Sequence, residues 1–490
     1  GNSKTCALLF ESPLDGDFQF NRVKKLAIQD LSNPKLLYND SFSTQIVFKE
    51  VLFSSNELPL NHYNKFSWAS PVRIGQEAQN LITHSNIDVE LNREVRTYNS
   101  SPKRYLWDSK PSDIEWEFIQ SKKNAPPKRV YVKGVSEQLN SDGSLCKDSI
   151  FGSKSLFSRQ SLMTFVFLEI LSHVRVQINS FEFRQSHGDI NKPRRLRRVV
   201  ISCPTGMIKQ EQISLRESAQ NAISIINNNP NLKSKYVPDI IPSVKDLKLK
   251  LSDLDRKKDW IYDESTSAQF VFMYGLIAQK FYGNSDLAFN LFGKNREEVD
   301  KSKKSLVVGS VDIGAGTTDL MICSYKYDFN EITEITPNPL YWESFDLAGD
   351  DLLKEVIQQV IIEGRITSES DQSCSGVIEN YARDHKIEEI TRKLNGFFGT
   401  DSNRIGYKAK LMRVNFMNQI AIPIALKYME NANNSEEVIL KFSDFFKDSS
   451  PNKNLLDYFE KHFEFRFEDI EWKLSSKKVN KIIYAVFEIL

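Results

Sequence analysis

A chain of 490 residues is too long for one hydrophobic core, so two or more compact units are expected. Its 40% hydrophobic and 26% charged residues are ordinary for a globular protein, and a net charge of +1 gives no global reason to expect nucleic acid or an anionic membrane as partner. Five scattered cysteines (Cys6, Cys146, Cys203, Cys323, Cys374) without CxxC spacing, and six histidines without metal-ligand spacing, argue against a disulfide frame or a zinc site.

The first segment reads as strands: "TCALLFE" (5–11), "VKKLAIQDL" (23–31) and "TQIVFKEVLF" (44–53) are apolar runs parted by polar turns. "IGQEAQNLITHS" follows as a short helix. A polar, proline-marked stretch from about 108 to 130 reads as an insertion or mobile loop. Residues 156–180 carry helical apolar spacing and predict a long buried helix. Its most apolar part, Leu162 to Ile178, is interrupted by Glu169, His173 and Arg175, so no membrane span is expected. With no apolar secretory run at the start, the expected location is cytoplasmic. The run Arg194, Arg195, Arg197, Arg198 lacks interleaved aromatic residues and reads as a solvated strand entry, not a nucleic-acid surface. A strand at 198–203 stops at Pro204. Helices are expected at 208–228 and 263–282.

The stretch "GSVDIGAGTTDLMI" (309–322) carries the most chemistry. Apolar strands flank a turn in which Gly314 and Gly316 permit positive φ and leave no Cβ before the backbone. Such a turn can gather N–H groups around a phosphate. Asp312 and Asp319 bracket it with carboxylates, which suits a magnesium ion and its waters. A third strand near Leu340–Phe345 and a helix from about Asp350 to Ile362 follow. The remainder is largely helical, with polar stretches near 366–376 and 430–436.

Several of these stretches recur in a known order: "GNSKTCALLFE", "RIGQEAQN", "SSPKRYLWD", "VVISCPTGM", "DESTSAQFVFMYG", "VDIGAGTTDLMI" and "FDLAGDDLL". Together they resemble the actin/DnaK-type chaperone/sugar kinase superfamily of ATPases over nearly the whole chain. "SSPKRYLWD" with the "GNSKT" start is similar in particular to the SrfB family of bacterial virulence-associated proteins. The resemblance implies an α/β fold of two actin-like (ribonuclease H-like) lobes around a nucleotide cleft. The first lobe would span 1–282, with an insertion near 108–155 and a connecting helix at 263–282, and the second 283–490. It also implies ATP or ADP with Mg2+ as ligands, ATP hydrolysis, and lobe closure that signals to a protein partner or client.

Residue by residue, the resemblance places Asn2, Ser3 and Lys4 beside the terminal phosphates and Lys103 as a phosphate-binding lysine. Asp312 falls near the attacking water and magnesium, and Asp319 on the metal through water. Gly314, Ala315, Gly316, Thr317 and Thr318 surround the phosphates. Glu264 becomes a water-positioning or metal-shell carboxylate, and Gly349 lies close to the nucleotide. Two departures stand beside this. The family's aspartate before the first turn is absent ahead of Gly1, and its adenosine-side Gly-Gly pair does not occur. Either the chain is trimmed at both ends, leaving the second lobe without its adenosine loop, or the site has degenerated. In the second case the fold would serve as a non-catalytic or filament-forming scaffold.

Overall fold

The structure, a computed structural model, describes residues 4–11, 22–49, 68, 70–83, 98–113, 116–120, 128–131, 139–140, 143–145, 156–188, 190–228, 237–249, 263–296, 300–329, 333–362, 396–398, 407–430, 438–446, 450–463, 466–469, 471–474 and 476–488. The chain forms two compact units, one of residues 1–79 and 95–346, the other of residues 80–94 and 347–490.

The first unit opens with two-residue antiparallel pairings: Lys4–Thr5 on Phe42–Ser43, Leu8–Leu9 on Lys24–Lys25, and Ile28–Gln29 on Leu37–Tyr38. Strand β1 (Ile46–Phe48) is then flanked on both sides, by β2 (Val72–Ile74) and by β3 (Tyr98–Asn99). Helix α1 (Gly75–Thr83) follows β2 directly. Within the expected insertion, Glu117–Gln120 pairs antiparallel with Lys128–Tyr131. Helix α2 (Leu162–Gln177) is buried along most of its length, as its nearly continuous apolar run requires. Strand β4 (Arg198–Val200), helix α3 (Lys209–Asn228) and strand β5 (Asp239–Ile241) make a parallel β-α-β crossover. Phe48, Phe165, Leu168, Leu215, Ala219 and Ile223 belong to the core shared by α2, α3 and the sheet.

Charged residues sit inside that core because they answer one another. Arg73 lies 3.6 Å from Glu77 and 3.6 Å from Glu169, all of them almost fully buried. Trp68 donates its indole N–H to Glu169 at 2.7 Å, and His173 Nε2 lies 3.2 Å from the other Glu169 oxygen. Backbone N–H groups of Leu31 and Ser32 donate to Glu77 at 2.9 Å each.

Helix α4 (Glu264–Tyr274) runs on into a π-helical turn, Gly275–Lys280, and α5 (Ser285–Phe292) follows. They cover an antiparallel meander of β6 (Lys294–Arg296), β7 (Asp300–Ile313), β8 (Thr318–Phe329) and β9 (Thr333–Phe345). Alternation along β8 turns Met321, Cys323 and Tyr325 to one face, where they meet Met273, Ile277, Ala288 and Phe289. A boundary near residue 282 therefore does not coincide with the division into compact units, since the meander packs on helices that precede it. Strand β9 also begins earlier than the expected Leu340, at Thr333.

The second unit is mainly helical. Helices α6 (Gly349–Val356), α7 (Tyr407–Phe416), α8 (Ile422–Glu430), α9 (Lys453–Phe463) and α10 (Ser476–Phe487) surround a core rich in aromatic rings. Phe397, Phe416, Phe459, Phe463 and Phe467 meet at centroid distances of 4.9 to 6.0 Å. Such edge-on, tilted and stacked contacts add to simple burial. Residues 366–376 and most of 430–436 lie outside the described residues.

Candidate functional site

The turn joining β7 and β8 is tight: Gly314 N–H donates to Thr317 C=O at 2.9 Å. Among the described residues, the N–H groups of Ala315 and Gly316 have no backbone acceptor. Neither Gly314 nor Gly316 adopts a positive φ, so the glycines here supply space and not an unusual dihedral. Gly314 is exposed, whereas Gly316 and Thr318 are buried. Asp312 and Asp319 are direct cross-strand partners and share a face of the sheet. Their depths differ sharply. Asp312 is exposed, while Asp319 is 3% exposed.

Helix α4 brings a second set of groups to this face. Its N-cap is Asp263, whose Oδ1 accepts from Thr266 N–H at 2.8 Å and from the Thr205 hydroxyl at 2.9 Å. Gln269 pins the helix to the sheet, donating to Ser310 Oγ at 2.7 Å and accepting from the Tyr325 hydroxyl at 2.9 Å. The first helical residue, Glu264, donates its backbone N–H to Cys203 C=O at 2.9 Å. Its carboxylate meets Lys103 Nζ at 3.1 Å, with Lys103 only 8% exposed. Lys103 sits on a 3-10 turn, Pro102–Tyr105, entered through Ser101 at φ 51°.

These groups raise the Asp319 pKa above the ordinary carboxylate range. Burial is the main cause, and the charges of Glu264 and Asp312 add to it. The Ser344 hydroxyl and the Thr205 N–H face the same carboxylate and pull the other way. Asp319 Oδ1 and Asp263 Oδ2 are both buried without a hydrogen-bond partner. Burial also pushes up the Cys203 thiol, and the Cys323 thiol to about 11, so both behave as inert core residues.

Lys103, Glu264, Asp312, Asp319 and the turn Gly314, Ala315, Gly316, Thr317, Thr318 thus belong to one unit, with Asp319 electrostatically coupled to Glu264 and Asp312. Lys4 is exposed in its short strand, and Asn2 and Ser3 lie outside the described residues. Gly349 opens α6 in the second unit, where Asp351 accepts from the N–H of Ala348 at 2.9 Å. Among the described residues, no three His, Cys, Asp or Glu side chains are grouped to hold a metal ion directly. No described helix is long and apolar enough to cross a membrane.

A family model for virulence factor SrfB matches residues 1–484. The chain belongs to the SrfB family. Every residue of the site lies within the matched span. No curated protein sequence matches this SrfB chain.

Four residues at the site carry no role in the sequence reading: Asp263, Thr205, Gly206 and Ser344. Asp263 did leave a signal, since an aspartate followed by Glu-Ser-Thr is a helix-start pattern. Gly206, two residues after Pro204 at a strand end, marked a turn but not what the turn touches.

Proposed function

We propose that this SrfB protein binds the phosphate end of ATP or ADP with Mg2+, hydrolyses ATP, and does so on a two-lobed α/β fold of the actin/chaperone type. The observation that carries this reading is the meeting of Lys103 and Glu264, 161 positions apart in sequence, at 3.1 Å, next to the buried Asp319. Phosphoryl transfer asks mainly for positioning and charge compensation, and a lysine, free backbone donors and carboxylates supply both. The parallel β4-α3-β5 crossover and the antiparallel meander leading to a helix support the fold part of the reading.

In this reading Lys103 leaves Glu264 for a phosphate oxygen, and the freed Glu264 orients water. The N–H groups of Ala315 and Gly316 and the hydroxyls of Thr317 and Thr318 donate to phosphate. Asp312, the exposed carboxylate, faces the attacking water. Asn2, Ser3 and Lys4 take the first phosphate turn, and Gly349 comes close to the nucleotide. Lobe closure on the nucleotide is read by a protein partner. The donor set fits Mg2+ held through its waters, which needs few direct protein ligands. Asp319 Oδ1 is an orphaned buried acceptor, and the crowding of Asp319, Asp312 and Glu264 is the kind of charge a cation relieves. The ion, when bound, would neutralise charge developing on the phosphates.

Calorimetry with ATP, ADP and Mg2+ tests the reading. Gly316→Val, which fills a buried position in the turn, is expected to abolish nucleotide binding with the fold intact. Equal binding by parent and variant removes the turn from the site. Asp312→Asn is expected to leave affinity near parental and to slow hydrolysis on the order of a hundred- to thousand-fold. One observation favours a second reading, a scaffold that keeps the site without turnover: the Lys103 charge is already answered by Glu264. Tight ATP binding without hydrolysis would select it.

A further inference from the structure

We propose that the turn Cys203–Gly206 is a positioning element of this site, with Thr205 and Gly206 holding the Glu264 helix start and the Asp319 strand in fixed relation. Its functional meaning rests on the phosphate-site reading; its structural content does not.

Besides the Thr205 N–H that faces the Asp319 carboxylate, three contacts leave this short turn, two for the helix start and one for β9, the strand paired with that of Asp319. The Thr205 hydroxyl donates to Asp263 Oδ1 at 2.9 Å, the same oxygen that caps the helix by accepting from Thr266 N–H. Cys203 C=O accepts from Glu264 N–H at 2.9 Å, so the turn also holds the backbone of the residue that pairs with Lys103. On its other side, Gly206 lies so close to β9 that a Cβ there would fall 1.9 Å from Ser344 Cβ. Ser344 is the direct cross-strand partner of Asp319. A side chain at 206 must therefore push the turn away from the strand beside Asp319.

The hydroxyl of Thr205 is not needed to fill space, since valine has the same shape. It is needed to fix the Asp263 rotamer, which otherwise has one oxygen held by a single N–H and the other unpartnered. A loosened Asp263 loosens the first turn of α4, and Glu264 moves with it. Thr205 and Gly206 touch no reacting atom in this scheme. Thr205 acts through Asp263 and Glu264 and through its own N–H on Asp319, and Gly206 acts through Ser344.

Thr205→Val and Thr205→Ser separate this role from simple packing. In hydrogen exchange of the full chain without nucleotide, the amides of Glu264 and Thr266 are expected to exchange roughly ten- to a hundredfold faster in Thr205→Val, the loss expected for a hydrogen bond to a charged group. Thr205→Ser, which restores the donor, is expected to exchange at the parental rate. Unchanged exchange in Thr205→Val, or equal acceleration in the serine variant, overturns the proposal. With ATP and Mg2+, Thr205→Val is expected to bind at least several-fold more weakly than the parent while Thr205→Ser binds as the parent does. A parent that binds no nucleotide while the exchange responds as stated would sink the phosphate reading and leave the positioning role standing. A parent that binds ATP and a valine variant that binds it equally well would do the reverse.

Discussion

Asp319 sits where a carboxylate is held above its ordinary pKa, mainly by burial and then by Glu264 and Asp312. The folded protein therefore binds that proton more tightly than the unfolded chain does. Stability falls as pH rises from the ordinary aspartate range through the raised pKa, and stays lower above it. Asp319→Asn removes the charge and is expected to raise the melting temperature at neutral pH, with the gain vanishing in acid below the ordinary range. A lower melting temperature for the asparagine variant at neutral pH would contradict this. Glu169 has the opposite sign. Burial alone would raise its pKa, but Arg73, the His173 ring and the Trp68 N–H outweigh it and hold the carboxyl below the ordinary range. Its contribution is present above that range and is lost as pH falls through the lowered value. Replacing Glu169 by Gln leaves Arg73 buried without one of its two acids, so a loss of about 3–5 kcal/mol is expected in denaturant unfolding. Neither environment was legible in the sequence. Glu169 and His173 read only as interruptions of an apolar helix, because nothing local announces a buried arginine 96 positions earlier. The difference between Asp312 and Asp319 was equally hidden, since strand alternation puts both on one face and the groups that meet Asp319 alone, from the Thr205 turn and from Ser344 on β9, come from distant parts of the sequence.

Elements were easier to read than environments. The hairpin of β7 and β8 stood out because two apolar runs flank a glycine-containing turn, and α2, α3 and α4 followed from helical spacing. What the glycines do differs from the expectation of left-handed backbone: positive φ occurs at Gly75, Gly143, Gly188 and Gly283, not at Gly314 or Gly316. The Lys103–Glu264 pair was legible only through resemblance, as no periodicity links a 3-10 turn to a helix start so far along the chain. Helix ends give a direct test of the local physics. Asn284 caps α5, its side chain accepting from Leu287 N–H at 2.9 Å. Asn284→Ala is expected to cost about 1 kcal/mol, within the usual range for such caps, and an unchanged denaturation midpoint would show the end of α5 to be held by packing alone.

At the scale of the whole molecule, the expectation of more than one compact unit follows from chain length, whereas the place of division does not. Composition hardly changes across residue 346, and it is the packing of the meander against α4, α5 and the Cys203–Gly206 turn that joins those strands to the first unit. The buried network that joins Arg73 and Glu77 to Glu169 has a consequence for the order of synthesis. The arginine and its near acid leave the ribosome well before the helix that carries Glu169 and His173. At about 5–20 residues per second, the hundred or so residues between α1 and the end of α2 take on the order of 5–20 s. During that interval the early strands have no α2 to cover them, and Arg73 lacks its second acid. Nascent chains arrested before residue 162 are accordingly expected to be cleaved readily by protease, and those arrested far enough past residue 228 for α2 and α3 to clear the exit tunnel to resist it. Equal protection at both lengths would mean that the first strands fold without the helices they share a core with.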